Sequence, residues 1–348
     1  MSEEDSKSLR FRLTAGSILK LTIIVILVIV LWQLSSVVLL AFAAILVAVM
    51  LRSIADPLAR HTPLGPTAAL VTTVLLIVMF VAAFLVLLGT QISAQLQALV
   101  TQIPDLVSSL GKQLGIADLE RSIAEKLQAF ITRGETVLDV AGITLTVLDA
   151  ILTVAIVLIA GIYLAARPAT YRRGFLLLWP GQSRPAIGEA MDASATALRH
   201  WLLGQLAAMT IVGILSGVGL ALLGVPSALA LGFIAAVTDF VPIVGPIFGA
   251  IPAVLLGFSV SPITALWVVG LYVLIQQIEG NLVQPLVQSS AVDLPPVVTL
   301  FALIAFGVLF GPLGILLATP LAVVAMVCVK VLYVRETLHE DVDVPGEE

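Results

Sequence analysis

Apolar positions run along this chain in long blocks rather than in the short alternations of a soluble domain. Residues 18–34 and 37–51 are two short apolar runs parted by Gln33, Ser35 and Ser36, a pattern that predicts a tight helical hairpin with Trp32 near its turn. Arg52, Asp56, Pro57, Arg60, His61, Pro63 and Pro66 predict a loop after it. Residues 67–88 carry no charge and predict a clear span. Residues 150–166 predict a fourth span with Asp149 at its edge as an interfacial residue. Arg167, Arg172, Arg173 and Arg184 follow, with Pro168, Pro180 and Pro185. Residues 186–200 read as a short helix leading into a fifth span, 201–223, and Trp179 and Trp201 suit a membrane interface.

The segment 91–140 has a different rhythm. Ile92, Leu96, Leu99, Ile103, Leu106 and Leu110 are spaced by four and three, opposite Gln95, Gln97, Gln102, Ser108 and Ser109. A second amphipathic stretch sets Leu119, Ile123, Leu127 and Phe130 against Glu120, Arg121, Glu125 and Lys126. Both predict helices outside the bilayer, packed on the membrane domain or forming an oligomer contact.

Composition strengthens this picture. Of 348 residues, 60% are hydrophobic and 11% charged, against about 45–50% and about 25% in soluble domains. The mean hydropathy is +1.14. A soluble enzyme, a nucleic-acid binder and a disordered scaffold are all poor fits. The reading is an all-α polytopic membrane protein with about six to eight transmembrane segments, some broken or re-entrant. The apolar run after the charged N-terminus is long and has no small-residue cleavage site, which predicts an uncleaved first helix. The net charge of −5 includes an acidic tail, and no basic field invites nucleic acid. Cys328 is the single cysteine, and His61, His200 and His339 are scattered, so no disulfide or metal-ligand spacing is present.

Arg10, Arg12 and Lys20, then Arg52 and Arg60, then the arginines after the fourth span, then Lys330 and Arg335 fall on one side if the N-terminus is cytoplasmic. The expected organisation is a cytoplasmic N-terminus (1–17), helices one to three (18–90), the extramembrane segment (91–140), helices four and five with a basic cytoplasmic loop (141–223), a transport core (224–333) and an acidic cytoplasmic tail (334–348).

The last third carries the chemistry. Residues 228–257 hold Asp239, Pro242, Gly245, Pro246, Gly249 and Pro252; residues 297–329 hold Gly307, Gly311, Pro312, Gly314 and Pro320. Each segment has two apolar halves about a Gly-Pro break. Proline removes a backbone donor, and in lipid a freed carbonyl must find a partner or line a cavity. Paired broken segments of this kind point to a secondary transporter's substrate site. Each reads equally as a re-entrant hairpin or a kinked span.

Asp239 is the one carboxylate inside an apolar segment here. An acid at membrane depth is a functional candidate: it could bind a cation, carry a proton, or cap the half-helix after Pro242. Gln276, Gln277, Glu279, Gly280 and Asn281, with Gln284 and Pro285, form the densest polar cluster near a helix end. Glu279 reads either as solvated at the interface or as part of a polar solute site. No phosphate-binding loop or catalytic constellation is present, so neither ATP-driven transport nor an enzyme is expected, and no cofactor or metal.

Three runs resemble the autoinducer-2 exporter family of bacterial membrane proteins. They are Asp239-Phe-Val-Pro-Ile-Val-Gly-Pro-Ile-Phe-Gly-Ala-Ile-Pro252, Gln277-Ile-Glu-Gly-Asn-Leu-Val-Gln-Pro285 with Leu294-Pro-Pro296, and Phe310-Gly-Pro-Leu-Gly-Ile-Leu-Leu-Ala-Thr-Pro-Leu321. Gly204-Gln205, Leu223-Gly-Val-Pro226 and the paired helix start at 18–51 are similar to the family too. The sequence departs from it at Ala166-Arg167-Pro168, where the family often has an acid before the arginine. The resemblance implies a multi-helix inner-membrane transporter that assembles as a homo-oligomer, a pentamer being one form. Members are linked to autoinducer-2 export and some to sodium–proton exchange.

The expected function is therefore secondary transport or export of a small solute, autoinducer-2-like, with Na+ or H+ as a possible partner ion. The site would comprise Asp239, Gln276, Gln277, Glu279 and Asn281. Pro242, Gly245, Pro246, Gly249, Pro252, Pro285, Gly311, Pro312, Gly314 and Pro320 would serve as breaks or hinges. The alternatives are a sodium–proton antiporter and, outside transport, a membrane scaffold or sensor acting through 91–140.

Overall fold

The computed structural model describes residues 33–82, 140–283 and 295–344. These are helical, with no strand among the described residues. The helices are α1 (Ser35–His61), α2 (Pro66–Ala82), α3 (Val140–Ala166), α4 (Pro168–Leu177), α5 (Arg184–Leu222), α6 (Ala228–Thr238), α7 (Val244–Val260), α8 (Pro262–Ile278) and α9 (Pro296–Cys328). A π-helical turn, Glu279–Val283, extends α8, and a second, Val329–Arg335, extends α9. Four helical stretches are long and apolar enough to cross a membrane, and the bent pair α3–α4 makes a fifth candidate. The first apolar run and the amphipathic 91–139 stretch lie outside the described residues.

Three apolar cores join the helices. Leu39 and Leu46 of α1, Leu198 and Leu202 of α5, and Val323 and Val327 of α9 share one. Val212 and Leu220 of α5, Leu231 of α6, Ala253 of α7 and Val268 and Tyr272 of α8 share the second. Ala48 and Leu51 of α1, Leu70 of α2 and Ala165 of α3 share the third. Outside these cores Met79, Phe80, Ile156, Trp267, Phe301 and Val308 are exposed. In lipid such side chains need no protein partner, so tight contact falls to small residues. A Cβ on Gly161 of α3 would stand 2.6 Å from Val47 Cγ1 of α1. One on Gly232 of α6 would stand 2.7 Å from both the Gly213 carbonyl oxygen and the Gly217 backbone of α5.

Two expected boundaries change. The predicted loop at 52–61 is helix: α1 continues through Pro57 to His61. Arg52 pairs with Asp56 one turn on at 3.1 Å, and its Nε donates to the Ala165 carbonyl at the end of α3 at 2.7 Å. The polar residues thus tie two helix ends together instead of solvating a turn. Likewise 186–200 is not a separate helix. It is the first half of α5, which at 39 residues is about 58 Å long and so exceeds a hydrocarbon core of about 30 Å.

The basic clusters after α1, α3 and α9 lie together at one end. Arg172 of α4 grips Asp192 of α5 through two bonds of 2.8 and 2.5 Å, which hold its pKa above the ordinary arginine value. Arg335 pairs with Glu189 of α5 at 2.6 Å and donates to the Val342 carbonyl at 3.0 Å. Lys330 donates to the Asp343 carbonyl at 3.3 Å. Residues 336–344 are therefore not a free tail: the chain folds back, and Val344 is buried in the α1–α5–α9 core.

Candidate functional site

The first broken segment is a hairpin. Helix α6 ends at Thr238 and α7 begins at Val244. Gly249 sits against Ala235, where a Cβ would come within 3.0 Å of the Ala235 Cα. A Cβ on Gly245 would overlap the Thr238 carbonyl. In one unbroken helix residues 235 and 249 would be about 21 Å apart. The chain therefore reverses between them, which decides for the hairpin over the kinked span. Tyr272 of α8 fastens it by donating to the Gly249 carbonyl at 3.2 Å. At the tip, Ile243 has φ 70° and ψ −49°, and the Val244 N–H reaches the Pro242 carbonyl at 2.8 Å. This is a γ-turn of the rare, strained hand, on a β-branched residue that resists positive φ.

The second segment turns at Gly311, with φ 66° and ψ −148°, a conformation open essentially to glycine alone. A Cβ on Gly314 would overlap the Phe306 carbonyl, and one on Gly307 would lie 2.9 Å from Ile315 Cγ1. Residues eight apart cannot meet in a straight helix, where about 12 Å separates them. So the chain bends sharply here as well. Phe240 beside the first break and Phe310 beside the second pack against the same α1–α5–α9 core.

Not every expected hinge is a break. Pro252 and Pro320 lie inside continuous helix. Gly249 and Gly314 are points of close packing. Pro246 occupies the first turn of α7, where a missing N–H costs nothing. Pro242, Gly311 and Pro312 mark the actual breaks, and Gly245 lets the hairpin close. Pro285 lies outside the described residues.

Asp239 follows the last residue of α6 and is 1% exposed. Neither carboxylate oxygen has a hydrogen-bond partner among the described residues. The expected capping role is therefore corrected. The residue before α7 is Ile243, without a side-chain cap, and the Val244 and Gly245 N–H groups are taken by the Pro242 and Val241 carbonyls. The carboxylate also stands at a helix C-terminus, where the peptide dipoles disfavour negative charge.

Glu279 is 6% exposed, so the solvated reading is also corrected. It opens the π-helical turn after α8 and accepts from Gln276 Nε2 at 3.2 Å. The structure thus pairs Glu279 with Gln276 and leaves Asp239 and Glu279 as the two buried carboxylates among the described residues. Gln276, Gln277 and Asn281 are all exposed, and Gln277 and Asn281 pair with each other: the Asn281 amide donates to the Gln277 carbonyl at 2.9 Å. No group of three or more potential metal ligands occurs among the described residues.

Gln205 is the site residue that the pattern alone does not single out. Its Nε2 donates to the Asp239 backbone carbonyl at 2.7 Å. One turn earlier on α5, Trp201 meets Phe240 edge to face with centroids 5.8 Å apart. The available signal is an amide within the otherwise apolar stretch 201–209.

A profile of AI-2E family transporters matches residues 21–333. YueF of Bacillus subtilis, which carries a provisional transport designation, is 30% identical over 80% of each chain. The AI-2 transport protein TqsA of Escherichia coli K12 is 30% identical over 43% of each. PerM of the same organism, provisionally designated a permease, is 24% identical over 80% of this chain and 84% of its own. With its apolar helices, two chain reversals and a match spanning nearly its whole length, this chain belongs to the AI-2E family of membrane transporters.

Proposed function

We propose that the protein is a secondary transporter of the bacterial inner membrane, with both termini cytoplasmic, that moves a small polar solute past the hairpin tip at residues 239–243. The observation that carries this reading is the buried, unpartnered carboxylate of Asp239. A buried polar group without a partner costs about 1–3 kcal/mol or more. A donor-rich solute or a cation arriving there would offset that cost. Asp239 and Glu279 supply acceptors, and Gln276 supplies both a donor and an acceptor. Such a set suits a small solute bearing hydroxyl groups. Autoinducer-2, the solute in the printed name of TqsA, is the first to test. Assembly as a homo-oligomer, the pentamer included, rests on the resemblance and on the heptad-like stripe after residue 91; light scattering in detergent measures it.

The test is flux in proteoliposomes. Wild-type vesicles loaded with autoinducer-2 should release it faster than protein-free vesicles, and Asp239→Asn should abolish the difference while remaining folded by circular dichroism. A trapped pH dye with added sodium reads ion movement in the same vesicles. Full flux in the Asp239→Asn protein would remove Asp239 from the mechanism. Absence of autoinducer-2 flux in wild type would remove that solute.

A further inference from the structure

Helix α4 has no role in the transport site, and its composition does not suit a span. It is 10 residues long, about 15 Å, far short of the roughly 30 Å hydrocarbon core. It turns by 91° from residues 151–166. Arg167, with φ −137° and ψ 60°, makes the corner, and Pro168 starts the new helix. Since α3 is apolar enough to stand across the bilayer, a right-angle turn at its end lays α4 along the membrane surface.

The faces of α4 match that position. Arg172 and Leu176, four apart, face α5: a Cβ on Gly188 would lie 3.2 Å from Arg172 Nη2 and 3.9 Å from Leu176. Tyr171, Phe175 and Leu178 form the neighbouring stripe, and none is buried; Leu178 is 78% exposed. Trp179 follows and is exposed too, its ring 6.3 Å from that of Phe175. Aromatic rings of this kind settle at the headgroup level. Arg167 and Arg173 are exposed and have no acidic partner among the described residues, whereas Arg172 is held by Asp192. The helix carries no acid.

We propose that α4 is an in-plane membrane-surface helix that binds anionic phospholipid, with Tyr171, Phe175 and Leu178 seated at the acyl boundary and Arg167 and Arg173 on headgroup phosphates. Guanidinium groups bind phosphate oxygens in pairs of parallel bonds, and the long arginine stems let the charge reach phosphate while the stem lies along the apolar boundary. Because α4 is pinned to α5 through Arg172–Asp192, the lipid would be anchored to the helix that carries Gln205.

The experiment uses the full-length protein. Native mass spectrometry in detergent compares retained phosphatidylglycerol with phosphatidylcholine for wild type and for Arg167→Gln/Arg173→Gln. Wild type should prefer the anionic lipid, and the double variant should lose about tenfold of that preference. Equal retention of both lipids, or an unchanged preference in the variant, overturns the assignment of the phosphates to these arginines. Depth is read independently by spin labels at Tyr171→Cys, Phe175→Cys and Arg173→Cys in a Cys328→Ser background, in vesicles containing phosphatidylglycerol. Labels at 171 and 175 should collide with oxygen more than with a water-soluble nickel reagent, and the label at 173 the reverse. Three labels equally accessible to nickel would place α4 in water and overturn the proposal. Neither readout depends on transport.

Discussion

Gln205 holds Asp239 by its backbone and leaves its carboxylate free. The amide nitrogen donates to the Asp239 carbonyl at 2.7 Å, while both side-chain oxygens stay buried without a partner among the described residues. The main chain at the hairpin tip is thus fixed to α5, and the charge-bearing atoms remain available. Gln205→Ala would leave a carbonyl at the end of α6 unsatisfied, at about 1–3 kcal/mol. A lower melting temperature and reduced flux are expected, with Gln205→Asn, whose side chain is one methylene shorter, failing to restore either. Unchanged melting and flux in Gln205→Ala would show that this bond does not position the tip.

Hairpin closure depends on residues without a side chain at particular places. Gly245→Ala would drive a methyl into the Thr238 carbonyl, and Gly249→Ala would meet Ala235 Cα at 3.0 Å. Each should cost about 1–3 kcal/mol or block folding. Gly270→Ala is the matched control: it also lies in an apolar helix, but nothing stands within 4 Å of its added Cβ. It should be neutral or stabilising by about 1 kcal/mol. Thermal unfolding in detergent ranks the three.

The γ-turn at Ile243 stores strain of about 1–3 kcal/mol. Its side chain is exposed, so Ile243→Gly would relieve strain while losing little packing. The variant should melt higher than wild type. If the strained tip holds Asp239 in its working position, flux should fall as stability rises. A lower melting temperature would show that the Ile243 side chain, not its backbone, governs the tip.

The fold-back of residues 336–344 rests more on burial than on charge. Arg335 and Glu189 are both partly exposed, and pairs of that kind contribute about 0.2–1 kcal/mol. Val344 is buried in the α1–α5–α9 core, so Val344→Asp would place a charge among apolar side chains. Limited proteolysis should cut the Val344→Asp protein after residue 335 much faster than wild type, and Glu189→Gln only slightly faster. Equal cutting of all three would mean that the segment is not docked in solution.

Much of this was legible along the chain. Long uncharged blocks can lie only in lipid, which set the all-α membrane class. The grouping of arginines and lysines after alternate spans anticipated the clustering of Arg52, Arg172 and Arg335 at one end. The second break falls at the expected Phe310-Gly-Pro312, whereas the first lies at 239–243, just before the expected Val244-Gly-Pro246, because glycine and proline act on the backbone close to where they stand. The loop expected at 52–61 is helix because charge there serves contacts between helix ends, and a residue's partner on another helix leaves no mark on its own neighbours. The burial of Glu279 is invisible along the chain for the same reason.

What the sequence determined by itself is the local physics: which stretches prefer lipid, where a helix cannot continue, and that one acid, Asp239, stands inside an apolar segment. The tertiary structure alone sets which way the breaks turn. A Gly-Pro pair permits a kink and a hairpin equally, and the choice lies in contacts such as Gly249 on Ala235 and Tyr272 on the Gly249 carbonyl. It also decided which polar residues meet. Glu279 falls on the buried face that carries Val268, Tyr272 and Ile275, whereas Gln276, Gln277 and Asn281 are exposed, because successive positions on a helix point about 100° apart, and the faces of α8 are assigned by its neighbours α5 and α7.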